Sequence, residues 1–404
     1  MKYIKRTLEA VLKQTIKEFP VIVLSGPRQS GKTTLLKHLF EKNYDYISLE
    51  LPDVQSAAIR DPRGFLEFYS PPVIFDEIQY APVLLPYIKE RVDTYRTRAG
   101  QYILTGSQNI LLTQGVTESL AGRAVMLRLL PLSYREMAGM PQALLPWEQG
   151  VRPFKKGLSY KELWKSFLRG GYPELSASGE RQLMLWHAGY VQTYLERDVR
   201  SIRQIGDLSQ FQIFLRALAA RSAQLLNLSE FSRDLGLAVN TIKSWLSVLE
   251  ATYQIIILRP YFANLGKRLV KTPKVYFADV GTLCYLVGLK DAEHALAGPM
   301  GGALMETAVV NEVVRTLTHQ GKELPIYFWR TSTGQEVDLI IDTGRKLVPI
   351  EVKLSTTPNH SMVKGIETFR KIFKEKTAKG YVVHPGTTKL PLGPDAFAWP
   401  FAEF

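Results

Sequence analysis

GPRQSGKT, residues 26–33, constrains the fold of this chain more than any other stretch. The apolar run VIVLS (21–25) precedes it and TTLLKHLFEK follows at helical spacing, which predicts strand, glycine loop and helix in that order. Gly26 and Gly31 let the backbone curl until successive amide N–H groups face one point, and a helix starting near Lys32 aims its positive dipole end there. Such a loop cradles phosphates. Lys32 is placed to reach the β- and γ-phosphates and the Thr33 hydroxyl to join a Mg²⁺ shell, with Gln29 and Thr34 completing the set. ATP and Mg²⁺ are the expected ligands.

VIFDEIQ (73–79) supplies the second half of such a site. Its strand ends in two acids at the carboxyl edge of the sheet, where ligands bind in open α/β folds. Asp76 is expected to hold Mg²⁺ and Glu77 to polarise the attacking water. YDYISLE, YILTGSQN and AVMLRLL read as further strands, and strand–helix alternation implies a mostly parallel sheet covered on both faces. Ser107 and Asn109, at the end of YILTGSQN, either sense the γ-phosphate or cap an ordinary turn. Arg123, just before AVMLRLL, reads as an arginine finger acting across a subunit interface or as a surface arginine.

With 404 residues, the chain is too long for one ordinary core. Its pattern of strands and helices divides it into a P-loop core (1–140), a linker and helical lid (141–204), a winged-helix-like unit (205–278) and a mixed α/β rear (279–404). No stretch approaches the roughly 20 apolar residues of a membrane span. The N-terminus has no signal-peptide pattern, and the lone Cys284 excludes an internal disulfide, so a cytoplasmic protein is expected. A net charge of +13 favours a polyanionic partner, and DNA is the usual one.

LSEFSRDLGLAVNTIKSWLSVLE has the apolar spacing of a helix-turn-helix, with Leu228, Phe231, Leu235, Ile242, Trp245 and Leu246 inward and Gly236 at the turn. Asn240, Lys243 and Ser244 then face outward. The following strands read as a β-wing whose basic residues are Lys267, Arg268, Lys271 and Lys274. Such a unit either reads DNA or braces a neighbouring domain.

QEVDLIIDTGRKLVPIEVKLS (335–355) is a hairpin with charges inside apolar strands. A two-residue turn at Gly344–Arg345 sets Asp338 across from Glu351, with Lys353 on the same face as Glu351. Two carboxylates and a strand carbonyl suit Mg²⁺, and Lys353 could activate a water. A simple cross-strand charge pair fits the same pattern.

GPRQSGKTTL, VIFDEIQ, ILTGSQN, SLAGR, LLPLSYREM and RGGYPEL occur in the order found in a prokaryotic family of AAA+-type ATPases, which this chain resembles over nearly its whole length. The resemblance implies an ATPase of the additional-strand catalytic-glutamate class that works as a homo-oligomeric ring, such as a hexamer, with ATP at subunit interfaces. The rear resembles the PD-(D/E)XK nuclease fold, which implies Glu306, Asp338, Glu351 and Lys353 as metal-binding and catalytic residues. The expected fold class is therefore α/β: a P-loop AAA+-type core, helical lid, winged-helix middle and restriction-endonuclease-like rear. The expected function is an ATP-driven translocase or remodeller of DNA. The alternatives are a nucleotide-gated regulatory or defence switch and an ATP-dependent endonuclease.

Overall fold

β1 (Val21–Ser25) is buried along its whole length, because it sits inside a sheet covered on both faces. In this computed structural model, which describes residues 3–107, 118–149, 158–179, 181–195, 208–261, 272–323 and 325–404, β1 pairs in parallel with two neighbours. They are β4 (Tyr102–Gly106) on one side and β5 (Ala124–Arg128) on the other. β2 (Asp45–Ser48) and β3 (Val73–Asp76) complete the order β2-β3-β4-β1-β5. β4 thus lies between the strand leading into the glycine loop and the strand ending in the two acids.

Strand alternation divides the apolar side chains between two layers. Ile22, Leu24, Ile74 and Ile103 pack against α1 (Leu8–Thr15) and α2 (Lys32–Phe40). Val21, Val23, Phe75 and Leu104 pack against α3 (Pro52–Arg60), α4 (Pro62–Phe68) and α5 (Leu84–Thr94). Each such side chain contributes roughly 1.5–3 kcal/mol on full burial, enough to fix which face of each strand meets which helices. All five strands are parallel, so the glycine loop, Asp76–Glu77 and Ser107 share one edge.

A short helix α6 (Tyr134–Met137) follows, opened by a capping box between Ser133 and Glu136. Then come α7 (Tyr160–Arg169), α8 (Pro173–Ala177), α9 (Leu183–Tyr190) and α10 (Leu208–Ala219). β6 (Gln224–Leu225), α11 (Leu228–Leu235), α12 (Val239–Ala251), β7 (Ile255–Leu258) and β8 (Lys274–Phe277) form the next unit, whose antiparallel sheet runs β6-β8-β7. Phe231, Ile242, Trp245 and Leu246 are buried, Leu228 and Leu235 pack beside them, and Gly236 takes φ +63° at the turn between α11 and α12.

α13 (Val280–Leu286) and α14 (Ala292–Ala297) pack on α7, with the helical middle. The rear sheet begins after α15 (Gly301–His319), a helix buried along most of its length. β9 (Ile326–Arg330), β10 (Glu336–Asp342) and β11 (Leu347–Val352) form an antiparallel meander. α16 (Lys364–Phe373) leads to β12 (Gly380–His384), β13 (Leu390–Pro391) and β14 (Ala396–Pro400), giving the order β13-β14-β12-β11-β10-β9. One apolar core runs without interruption from Trp164 through Phe214 and Trp245 to Val310 and Ile350, so the middle and rear fold as one mass. Among the described residues, no helix is long and apolar enough to cross a membrane.

Candidate functional site

Gly26 and Gly31 take φ +150° and +92°, and a Cβ on Gly26 would stand 2.1 Å from the Leu129 carbonyl oxygen. Gly26 is therefore required by both backbone and space. Gln29 shares the left-handed region at φ +63°. Lys32 is buried at the start of α2 and donates to the carbonyls of Gly26 (2.9 Å) and Pro27 (3.1 Å), which holds its ammonium at the loop. Gln29 and Thr34 are exposed, Gln29 on the loop and Thr34 on the first turn of α2.

Thr33 Oγ1 donates to Asp76 Oδ2 at 3.3 Å, so the two residues expected around Mg²⁺ already touch. Asp76 also accepts from the hydroxyls of Tyr46 and Thr105. Burial raises the Tyr46 hydroxyl pKa and the bond to Asp76 raises it further, so Tyr46 stays protonated and donates. Glu77 sits at φ +57°, pinned by its backbone N–H on Thr105 Oγ1 at 3.1 Å. Its carboxylate accepts from Ser107 N (3.1 Å), Ser107 Oγ (3.0 Å) and the Gln79 side-chain amide. A left-handed non-glycine residue held by four bonds marks a constrained position, as functional sites often do.

Ser107 thus stands beside Glu77, and Asn109 lies outside the described residues. Sequence reasoning missed Tyr46, Thr105 and Gln79. Their one available signal was position, since Thr105 and Tyr46 lie on the strands flanking β3. Arg123 stands at the amino end of β5, across the sheet from the glycine loop, so it does not reach the loop of its own chain. It makes a two-point pair with Asp93 at 2.6 and 2.9 Å, and each group favours the charged form of the other.

In the rear hairpin, Leu339 pairs with Ile350 and Asp342 with Leu347, so Asp338 and Glu351 are the next opposed residues. Thr343 N donates to Lys346 O at 3.0 Å, and Gly344 takes φ +76°, which fixes the turn at Gly344–Arg345. Asp338 Oδ2 accepts from Val352 N at 2.9 Å, and Lys353 Nζ lies 2.6 Å from Glu351 Oε2. These groups line a cavity of about 670 Å³ together with Glu306 and Glu336.

Lys274 alters the expected chemistry. It is buried, not part of a basic surface wing, and its ammonium lies 2.8 Å from Glu306, 2.5 Å from Glu336 and 3.8 Å from Asp338. Burial opposes its charge, but the surrounding acids outweigh burial and raise its pKa. Tyr276 donates a second bond to Glu306 at 2.6 Å. Burial foremost, then the Asp338 charge, pushes Glu306 up to about 7 and Glu351 up to about 8. The metal set expected from Glu306, Asp338 and Glu351 is not assembled. Two lysines divide and neutralise the acids, and among the described residues no three His, Cys, Asp or Glu side chains converge on one metal position.

Asn240 and Lys243 are exposed on α12 and Ser244 is half-buried beside them, while Lys267, Arg268 and Lys271 lie outside the described residues.

A buried polar seam, not anticipated from the sequence, joins front to rear. Arg6 donates to Ser30 O in the glycine loop (2.9 Å) and to Leu130 O (2.6 Å), and its Nε lies 3.2 Å from Glu136. His319, at the end of α15, accepts at Nε2 from Leu130 N (3.1 Å) and faces Glu136 with Nδ1 (3.2 Å). This geometry places the proton on Nδ1, and burial keeps the ring neutral by lowering its pKa. Burial disfavours the Glu136 charge, yet Arg6 and His319 outweigh it and hold the carboxyl below the usual range.

The sheet order, glycine loop and Thr33–Asp76–Glu77 edge define an AAA-type P-loop ATPase domain, and residues 18–138 match the family model described as AAA domain. Residues 160–293 and 301–404 match the models described as Domain of unknown function (DUF8612) and Domain of unknown function (DUF4143). The chain is similar to the Mycobacterium tuberculosis protein Rv2008c, 29% identical over 402 residues, covering 98% of this chain and 83% of that protein. It is 22% identical over 364 residues to the Methanocaldococcus jannaschii protein MJ1544, covering 85% of this chain and 77% of that protein. Among solved structures, the Walker-type ATPase PABY2304 of Pyrococcus abyssi is 18% identical, covers 70% of this chain and 96% of its own, and has a TM-score of 0.46. The Thermotoga maritima RuvB Holliday junction branch migration motor is 16% identical, covers 62% and 85%, and has a TM-score of 0.29.

Proposed function

We propose that this chain hydrolyses Mg·ATP and uses the cycle to translocate on or remodel DNA, working as a homo-oligomeric ring. The observation that carries the ATPase half is the Thr33–Asp76–Glu77 edge, with Glu77 clamped by Ser107 and Gln79. Bound Mg²⁺ would supply charge neutralisation across the β- and γ-phosphates, held through Thr33 and Asp76. Lys32 turns from the Gly26 and Pro27 carbonyls toward the phosphates, and Glu77 orients and polarises the attacking water. The Ser107 bonds set the direction in which the Glu77 carboxylate points.

The DNA half rests on the +13 charge and on the exposed Asn240 and Lys243 of a winged-helix-like unit. The α15-β9-β10-β11-α16-β12 order and the opposed Asp338 and Glu351 support a nuclease-like rear. Its lysine-neutralised acids favour a rear that grips without cutting. The switch reading is favoured by the Arg6–His319 seam, in which Arg6 bridges the glycine loop to the rear helix.

The test is ATP turnover by the full chain, with and without linear and four-way-junction DNA, with strand integrity followed on gels. DNA-stimulated repeated turnover with intact strands is expected. Tight ATP retention without stimulation would replace the motor with the switch. Strands cut in wild type and spared in Asp338→Ala would make the rear a working nuclease.

A further inference from the structure

The glycine loop is held from outside as well as by its own glycines. Leu129 N donates to Ser25 O at 2.8 Å, and the Leu129 carbonyl lies against Gly26, so the segment after β5 packs on the start of the loop. Arg6, 3% exposed in the segment before α1, ties that segment to the end of the loop. Its Nη2 donates to Leu130 O at 2.6 Å and its Nη1 to Ser30 O at 2.9 Å. A guanidinium is a planar fork with fixed donor directions, so the two bonds together set the spacing of the two carbonyls.

The Ser30 bond acts on the next residue. A trans peptide is planar, and its C=O and N–H point in opposite directions. Holding Ser30 O toward Arg6 therefore turns the Gly31 N–H the other way. Gly31 precedes Lys32 at the start of α2, at φ +92°, where the P-loop reading gives the backbone N–H groups to the phosphates. A donor aimed before its ligand arrives needs no reorganisation on binding, which favours affinity.

Arg6 is itself held from the rear. Glu136, fully buried, lies 3.2 Å from Arg6 Nε and also accepts from Thr7 N at 2.8 Å. His319 Nδ1 lies 3.2 Å from Glu136, while Nε2 accepts from Leu130 N at 3.1 Å and lies 3.4 Å from Arg6 Nη2. One ring thus touches Arg6, the acid that fixes it and the residue whose carbonyl it binds. His319 closes α15, whose Glu306 lines the rear cavity about 20 Å back along the axis at about 1.5 Å per residue.

We propose that Arg6 is a positioning residue of the ATP site and that His319 sets it from the rear, so that α15 completes the phosphate-binding loop. Arg6 orients the Ser30–Gly31 peptide, and His319 holds Arg6 by fixing Glu136 and Leu130. This role rests on the P-loop reading of the front, whether the rear grips DNA or serves a switch.

Titration of the full chain with fluorescent N-methylanthraniloyl-ATP and Mg²⁺, beside steady-state phosphate release, tests this below the melting temperature of each variant. Arg6→Lys keeps the charge facing Glu136 but loses the two-carbonyl fork, and should weaken binding about tenfold or more. KM should rise with kcat held within about threefold, because Thr33, Asp76 and Glu77 are untouched. His319→Leu should weaken binding about fivefold or more. His319→Gln, whose amide can accept from Leu130 N and donate to Glu136, should bind within about threefold of wild type. Should Arg6→Lys not fold, the two His319 variants still decide. Unchanged affinity in either Arg6→Lys or His319→Leu would overturn the proposal and leave the P-loop in place. Equal losses in His319→Leu and His319→Gln would overturn it too, reducing His319 to packing at the end of α15. Wild-type binding that Lys32→Ala does not weaken would instead remove the P-loop reading, and the role of Arg6 with it.

Discussion

Arg135 Nη1 lies 2.5 Å from Glu312 Oε1, and both side chains are almost fully buried where the P-loop domain meets α15. Glu312 also accepts from Tyr134 N at 2.6 Å, so one carboxylate on the rear helix caps the short helix α6 of the front. Front and rear are joined here by a buried charge pair with a fixed geometry. Truncating one partner leaves a buried charge unpaired, so Glu312→Ala should destabilise the protein by about 3–5 kcal/mol. The double variant Arg135→Met/Glu312→Leu should cost less than the single change. Urea unfolding of the three proteins measures both; equal losses in the single and double variants would show that the pair itself is not the source.

Glu77→Gln keeps the side-chain shape but removes the charge that polarises water. Turnover should fall by on the order of 10²–10⁴ while ATP binding persists. Lys32→Ala should instead lose nucleotide affinity. Filter binding and phosphate release separate the two effects, and a Glu77→Gln protein with ordinary turnover would remove Glu77 from the mechanism.

Arg123 pairs with Asp93 at the sheet edge away from its own glycine loop. If it acts across a subunit interface, Arg123→Ala should lower turnover by about 10³ or more, as for an arginine finger. Asp93→Asn, which breaks the same pair, should leave turnover near wild type. Matching losses in both variants would assign Arg123 a local role in the fold.

The acids of the rear cavity carry a pH signature. Glu306 and Glu351 are pushed up to about 7 and about 8, above the ordinary 4.5 of an unfolded glutamate. The folded state therefore binds these protons more tightly, and their contribution is greatest below pH 4.5 and is lost as pH rises toward 8. His187 and His319, whose pKa values burial lowers, act in the opposite sense as pH falls through 6.5. The difference between wild type and Glu351→Gln isolates the carboxyl. Urea midpoints at pH 5, 6.5 and 8 should show Glu351→Gln gaining on wild type as pH rises, and parallel curves would contradict the assignment.

The sequence alone determined what depends on short spacing. Two glycines and a lysine in GPRQSGKT specify a phosphate loop, because backbone curvature and a helix start are local events. Turn chemistry at Gly344 and strand alternation likewise set Asp338 opposite Glu351, since the turn fixes the register of a hairpin. Tertiary structure alone decided what those residues meet. Lys274, which read as one basic residue of a surface wing, lies among Glu306, Glu336 and Asp338, two of which the nuclease resemblance implied as metal ligands. Arg6, which belongs to no motif, reaches the glycine loop, Glu136 and His319 together. Such contacts arise when distant elements pack, and no local period encodes them: a buried charge is placed by whichever partners arrive to neutralise it, and those partners are chosen by the fold.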